Sequence, residues 1–102
     1  MTKRVYISGP ITGRPDGNQY AFYTAAVRLL KDGNIPVNPH DVCYLLPPGS
    51  TWAEYMRKNI PALCTCDSVF MLRGWWRSRG ARVEWALAKV LGMRVKYEGR
   101  GR

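Results

Sequence analysis

The chain has 102 residues, of which 16 are Lys or Arg and 7 are Asp or Glu, so its formal net charge is +9. This length fits one domain and leaves no room for a second, and an apolar share of 46% excludes a disordered chain. Because no apolar run approaches the roughly 20 residues that cross a bilayer, and the first residues lack the apolar stretch and the cleavage site of a signal peptide, we expect a cytoplasmic protein with no membrane partner.

The first half of the chain alternates strand patterns with a helix pattern. Residues 5–7 are β-branched or aromatic and predict the first strand, and the Gly- and Pro-rich residues 10–17 predict a loop. Residues 18–32 predict a helix, and residues 35–38 predict a short second strand. The helix repeats apolar residues at the helical period and is expected to bury Phe22, Ala25, Ala26 and Leu29.

The second half repeats this alternation. Residues 39–50 are expected to form a loop, followed by a helix that Ser50 or Thr51 caps and that Pro61 interrupts or restarts. Residues 68–72 predict a strand that is apolar on both faces, as in the centre of a parallel sheet. A basic loop then leads to a helix over residues 80–91 and a strand over residues 93–97. The last helix is expected to face the core with Val83, Ala86, Leu87 and Val90.

The alternation of strands and helices predicts an α/β fold. We expect a three-layer sandwich of the flavodoxin or Rossmann type, with four or five parallel strands. Residues 1–98 would form the single domain, and residues 99–102 would be a flexible basic tail. Ligands of such sheets bind beyond the carboxyl ends of the strands, so the loops after the first and third strands are expected to border the site.

The three cysteines exclude a complete disulfide framework, because their number is odd. Cys64 and Cys66 are too close in sequence for an ordinary bridge or a C-x-x-C redox motif. Cys43 and His40 could join them as metal ligands, but free thiols in a reducing compartment are the simpler interpretation. We expect neither a metal nor a cofactor.

Three features of the predicted loops could bind or transform a ligand. Residues 8–13 could cradle a phosphate or a ribose, although a tight strand-to-helix connection has the same pattern. Residues 78–80 precede a helix and could hold an anion, although Ser78 could simply cap that helix. Glu84 could act as nucleophile or base or bind sugar hydroxyls, or it could be only a favourable acid near a helix start.

The Trp pair in the basic loop has two interpretations. Trp75 or Trp76, beside Arg73 and Arg77, could stack on a base or on single-stranded nucleic acid. Alternatively, one of the two rings packs into the core and the other covers a subunit interface.

Four segments of the chain resemble a phage-associated domain of uncharacterised function: residues 5–13 (VYISGPITG), 66–69 (CDSV), 74–75 (GW) and 78–88 (SRGARVEWALA). That domain is similar to nucleoside 2-deoxyribosyltransferases and 2′-deoxynucleoside 5′-phosphate N-hydrolases. The resemblance covers nearly the whole chain and implies an enzyme that cleaves the bond between base and deoxyribose, by hydrolysis or transfer.

The resemblance also implies roles for individual residues. Glu84 would be the nucleophile, and Tyr6 would orient its carboxylate or the sugar. Ser78 and Gly80 would hold the 5′-phosphate, and Ser8, Gly9 and Ile11 would line the sugar and base side. Gly13 in the first loop and Trp75 in the second are further ligand-binding candidates, on the evidence of the loops themselves.

Asn59 stands where these enzymes carry a second acid. An amide cannot protonate a leaving base, but it can hydrogen-bond the base or the 3′-hydroxyl. Asp41 or Glu54 could replace the acid only if their segments fold over the site, and Asp67 lies at the wrong end of its strand.

Three functions therefore remain open at this stage. The chain could be an N-glycosidase of 2′-deoxynucleoside 5′-monophosphates, a nucleotide-binding or nucleotide-sequestering protein without useful turnover, or a nucleic-acid-binding accessory protein that uses its positive charge. We also expect a homodimer, because four Trp and six Tyr exceed the aromatic surface that four strands readily hide.

Overall fold

The computed structural model describes residues 2–99, which form a parallel sheet with helices on both faces. Its strands, in the sheet order β2-β1-β3-β4, are β1 (Arg4–Ser8), β2 (Ile35–Val37), β3 (Ser68–Met71) and β4 (Arg94–Tyr97). Its helices are α1 (Gln19–Lys31), α2 (Pro39–Val42), α3 (Trp52–Cys64) and α4 (Arg79–Val90). The predicted three-layer α/β sandwich is confirmed, with four strands in the described residues. The predicted tail falls outside them, except for Gly99.

The central strands β1 and β3 bury side chains on both faces. Alternate residues of a strand point to opposite faces, so Val5 and Ile7 pack towards α1 while Tyr6 packs towards α3 and α4. The α1 side of the core also contains Phe22, Ala25, Leu29 and Leu72. The other side contains Leu63, Val69, Met71, Ala81 and Ala88. No helix within residues 2–99 is long and apolar enough to span a membrane.

Helix α3 begins with a complete capping box. The Thr51 hydroxyl accepts a hydrogen bond from the backbone N–H of Glu54 at 3.1 Å, and the Glu54 carboxylate accepts one from the N–H of Thr51 at 2.7 Å. The expectation that Pro61 interrupts or restarts this helix is wrong, because α3 runs through Pro61 as one helix to Cys64. Met56 and Leu63 are buried on either side of the exposed proline, and this packing outweighs the cost of the missing N–H.

Two further expectations about local structure are wrong. The predicted loop over residues 39–50 begins with the short helix α2, because the Asn38 side chain caps the N–H of His40 at 3.0 Å and Pro39 suits a first helical position. The predicted loop over residues 73–79 contains a short 3-10 helix, Trp75–Arg77.

The predicted core face of α4 is also wrong. Ala81, Glu84 and Ala88 are the buried residues of this helix. Val83 and Val90 are instead 40% and 81% exposed, Ala86 is exposed as well, and Leu87 is half-buried. Val83 and Val90 thus lie on a stripe that the sheet does not cover, whereas Leu87 packs at the edge of the core. The periodicity of a sequence marks an apolar stripe without identifying its partner.

Gly9, directly after β1, has no room for a side chain because it packs on Leu72, directly after β3. Its substitution tests this close packing. A Cβ atom at Gly9 would lie 2.7 Å from the Cβ of the fully buried Leu72. We expect Gly9→Ala to lower the free energy of unfolding by roughly 1–3 kcal/mol, as overpacking does, in urea denaturation. Gly80→Ala is the control, because the nearest atom there is the flexible Met56 sulfur at 3.3 Å. Equal losses in both variants would contradict this account.

Candidate active site

The centre of the candidate site is the carboxyl group of Glu84, which α4 presses against β1. Its Oε2 accepts a 2.8 Å hydrogen bond from the Tyr6 hydroxyl, and its Oε1 accepts a 2.6 Å hydrogen bond from the Ser8 hydroxyl. Tyr6 and Ser8 are two residues apart on β1, so both project from the face that α4 covers. Three predicted site residues, distant in sequence, are therefore in direct contact.

Burial controls the acidity of this carboxyl group. Glu84 is only 5% exposed, and desolvation raises its pKa from 4.5 to about 7, although the hydrogen bonds from Ser8 and Tyr6 oppose the rise. Burial and the neighbouring Glu84 charge raise the pKa of Tyr6 well above its ordinary value, so this hydroxyl remains a donor. Near neutral pH the carboxyl group is thus divided between an acid and a carboxylate, which suits a nucleophile or a base.

Asn59 makes a contact with Cys43 that the sequence did not reveal. It is 6% exposed and occupies the buried face of α3, and its Oδ1 accepts a 3.2 Å hydrogen bond from the Cys43 thiol. Burial, followed by the charge of Glu84, raises the pKa of Cys43. Cys43 gives no sequence signal beyond being a single thiol in a predicted loop, and only the fold brings it to Asn59.

The other acids and the histidine are engaged elsewhere. Glu54 belongs to the capping box of α3, Asp67 accepts a 2.9 Å hydrogen bond from the backbone N–H of Arg4, and Asp41 is exposed on α2. The Nε2 of His40 lies 2.9 Å from the carbonyl oxygen of Gly17. Within residues 2–99, no three His, Cys, Asp or Glu side chains are grouped closely enough to hold a metal ion.

The loop after β1 packs tightly at its start and opens towards its end. Gly9 lies against Leu72, and the half-buried Ile11 packs on the α1 side of the core. A Cβ atom at Gly13 would meet no atom within 4 Å. Binding of a ligand by these residues stays a prediction.

The loop before α4 is tied to α3. The Ser78 hydroxyl oxygen caps α4 by accepting a 3.2 Å hydrogen bond from the N–H of Ala81, and its own proton remains available for a ligand. Gly80 lies against Trp52 and Met56, and the guanidinium carbon of Arg79 lies 3.7 Å from the centroid of the Trp52 ring. Phosphate binding by Ser78 and Gly80 also stays a prediction.

Trp75 is part of an aromatic cluster. Its ring stacks on Trp85 with centroids 5.4 Å apart and lies 6.1 Å from the ring of Tyr97. Its Nε1 is buried and has no hydrogen-bond partner among the described residues. Trp76, in contrast, is 44% exposed. This arrangement favours the core interpretation for Trp75, whose stacking on a base stays a prediction.

Arg14 is a cation at the site that sequence reasoning missed. Gly74 has φ +84°, and a Cβ atom there would lie 2.9 Å from the Nη2 of Arg14. The guanidinium group of the first loop therefore lies directly on the backbone of the second. A single loop arginine has no periodic signal, so only the conformation of both loops shows that it reaches the crevice between them.

The comparisons with known proteins concern the family and the fold. Residues 3–97 match the family model described as Domain of unknown function (DUF4406). No curated protein matches the chain. A 2-desoxiribosyltransferase from Leishmania mexicana shares the fold with a TM-score of 0.70 and 22% identity, over 93% of this chain and 63% of that chain. This chain therefore spans less than two thirds of the length of that protein.

A second structure shows the same fold. The 2-deoxyribosyltransferase from the psychrotolerant bacterium Bacillus psychrosaccharolyticus matches with a TM-score of 0.70 and 15% identity, over 92% of this chain and 70% of that chain. The predicted similarity to the nucleoside 2-deoxyribosyltransferase superfamily is thereby confirmed at the level of the fold.

The hydroxyl groups of Tyr6 and Ser8, which donate to Glu84, both lower its pKa and so oppose the effect of burial. Because each stabilises the ionised carboxylate, Tyr6→Phe and Ser8→Ala should each raise the pKa of Glu84 above about 7. A pH titration of the Glu84 side-chain carbon signal by NMR measures this shift. Tyr20→Phe, at an exposed position on α1, is the control and should leave the titration unchanged. An unchanged midpoint in both site variants would show that the hydrogen bonds are not made in solution.

Proposed function

The chain belongs to the DUF4406 family, and we propose that it cleaves the N-glycosidic bond of 2′-deoxynucleoside 5′-monophosphates, with Glu84 as the nucleophile. The observation that carries this proposal is the buried carboxyl group of Glu84, held on both oxygens by Tyr6 and Ser8. This group lies at the carboxyl-end side of a sheet whose fold is shared with two proteins described as deoxyribosyltransferases.

The proposed reaction has two steps at the anomeric carbon. The ionised Glu84 oxygen bonds to C1′ while the bond from C1′ to the base nitrogen breaks, and its electron pair leaves with the base, which takes a proton from water. Water then attacks C1′, the ester bond to Glu84 breaks, and one water proton passes to solvent. A second base in place of this water would make the reaction a transfer.

The first step needs the carboxylate form of Glu84. Its ionised fraction grows as pH rises through about 7, so the rate of attack should rise over the same range. Tyr6 and Ser8 fix the orientation of the carboxylate, and they keep its pKa below the value that burial alone would give.

Cations near the crevice support a phosphorylated substrate. Arg14 lies between the two loops, and Ser78 retains a hydroxyl proton that it can donate to a phosphate oxygen at the start of α4. The formal net charge of +9 also attracts an anionic nucleotide from solution. The same charge, together with the exposed Trp76 in the basic loop, supports the alternative of a nucleic-acid partner.

The presence of Asn59 favours a second candidate function, which is nucleotide binding without useful turnover. General acid catalysis typically contributes about 10²–10⁴-fold, and no carboxyl group stands at this position to supply it. A binder and an enzyme of this fold would differ in base release rather than in nucleotide affinity.

Substitutions of Glu84 and Asn59 separate the enzyme from the binder. Each 2′-deoxynucleoside 5′-monophosphate is incubated with the protein, and free base is measured by chromatography. We expect Glu84→Gln to abolish base release while nucleotide binding persists, because an amide cannot form the ester. Asn59→Asp should raise turnover, because it supplies an acid. If neither the wild type nor Asn59→Asp releases base, and Glu84→Gln binds nucleotide normally, the enzyme proposal is wrong.

We further propose that two chains associate through the exposed apolar stripe of α4. Val83, Val90 and Leu91 are 40%, 81% and 52% exposed, although apolar residues at this spacing usually pack against a partner. A second copy is the proposed partner, because a twofold contact needs only one self-complementary patch.

Sedimentation at micromolar concentration tests this association. The wild type should sediment as a dimer, and Val90→Glu should shift it to a monomer, because a buried unpaired carboxylate is costly. Leu30→Glu, at an exposed apolar position of α1, is the control and should remain dimeric. A monomeric wild type would refute the proposal.

A further inference from the structure

We infer that Cys43 is a positioning residue, which orients Asn59 so that the amide N–H group of Asn59 faces the substrate and hydrogen-bonds the departing base. This inference deepens the proposed function and rests on it for the identity of the substrate. It gives Asn59 a catalytic role that differs from that of the acid whose place it takes.

The contact between Cys43 and Asn59 fixes the orientation of the amide. The Cys43 sulfur lies 3.2 Å from the Oδ1 of Asn59 and 3.8 Å from the backbone carbonyl of Tyr55, one helical turn earlier. A thiol has one proton to donate, and the Oδ1 of Asn59 is the nearer of the two acceptor oxygens. The amide oxygen therefore points to Cys43, and the Nδ2 group points away from it.

The Nδ2 group of Asn59 is left available for a ligand. In the hydrogen bonds formed by residues 2–99, the Asn59 side chain takes part only through its oxygen. Among residues 2–99, the one fully buried side-chain nitrogen or oxygen without a hydrogen-bond partner is the Nε1 of Trp75. The Asn59 nitrogen is therefore not fully buried. The donor thus keeps some access to solvent although the residue as a whole is 6% exposed.

The position of Asn59 in α3 places its amide on the side of the sheet that carries Tyr6 and Glu84. Met56, Asn59 and Leu63 form the buried stripe of α3, so the amide faces the sheet from which Tyr6 projects. Burial raises the pKa of Cys43, and the charge of Glu84 adds to this rise. The thiol therefore stays protonated near neutral pH and continues to donate to Asn59.

An N–H donor at this place helps the reaction without transferring a proton. As the bond to C1′ breaks, negative charge develops on the base, and a hydrogen bond from Nδ2 to a base oxygen or nitrogen strengthens with that charge. The proton still comes from water after departure. Loss of the correct orientation should therefore lower kcat more than it changes KM.

The first test observes the Asn59 amide directly by NMR. The side-chain amide signal is identified by its absence in Asn59→Ala, and each of the four common 2′-deoxynucleoside 5′-monophosphates is added to labelled protein. We expect a nucleotide-dependent shift in the wild type and in Cys43→Ser, which retains a donor, and no such shift in Cys43→Ala. Cys64→Ser removes an exposed thiol at the end of α3 and should behave as the wild type.

The second test measures base release by the same variants. Cys43→Ala should lower kcat by roughly three- to tenfold, as the loss of one hydrogen bond does, while KM and the melting temperature change little. Cys43→Ser should recover most of this loss. If Cys43 had a purely structural role, Cys43→Ala would lower the melting temperature. Cys43→Ser would then not restore kcat without also restoring the melting temperature.

The outcomes distinguish the two proposals. If the wild-type amide does not respond to any of the four nucleotides, or responds equally in Cys43→Ala, the positioning role is overturned whether or not base is released. If the amide responds only when residue 43 carries a donor, and no base is released, the positioning role stands and the proposed enzymatic function fails.

Discussion

The burial of one carboxyl group is the constraint on which much of this structure depends. Glu84 has a pKa of about 7 in the fold and 4.5 as an ordinary glutamate, and each pKa unit corresponds to about 1.4 kcal/mol. Between these values the folded protein binds more protons than the unfolded chain. The stability therefore falls as pH rises from 4.5 to about 7, by roughly 3 kcal/mol in total. A small domain keeps such a group only if both oxygens find donors, as they do in Tyr6 and Ser8.

This constraint also explains the composition of α4. Ala81 and Ala88 flank Glu84 on the buried face, three residues before it and four after it. Small residues at these places let the helix approach β1 closely enough for the carboxyl group to reach both hydroxyl groups. The bulkier Val83 and Val90 are consequently displaced to the face that the sheet does not cover.

The sequence was informative wherever a residue's surroundings follow from its own element. The strands and the α1 core face follow from periodicity, whereas the pairing of Glu84 with Tyr6 on β1 was implied by the resemblance to the deoxyribosyltransferases. The buried face of α4 was misjudged because the most apolar stripe of a helix need not be the one that packs on its own sheet. Cys43 beside Asn59 and Arg14 beside Gly74 depend on loop conformations, which no periodic pattern encodes.

An amide in the place of the second acid changes which part of the proposed reaction is difficult. Glu84 needs no further group to attack once it is ionised, because Tyr6 and Ser8 already hold it in place. Departure of the base is then the harder step, since Asn59 can stabilise developing charge but cannot deliver a proton. A site of this kind discriminates among nucleotides by how well each base carries negative charge, in addition to how well it fits. The thiol of Cys43, by holding the Asn59 oxygen, decides whether the site offers the base a donor or an acceptor, and only a donor assists departure.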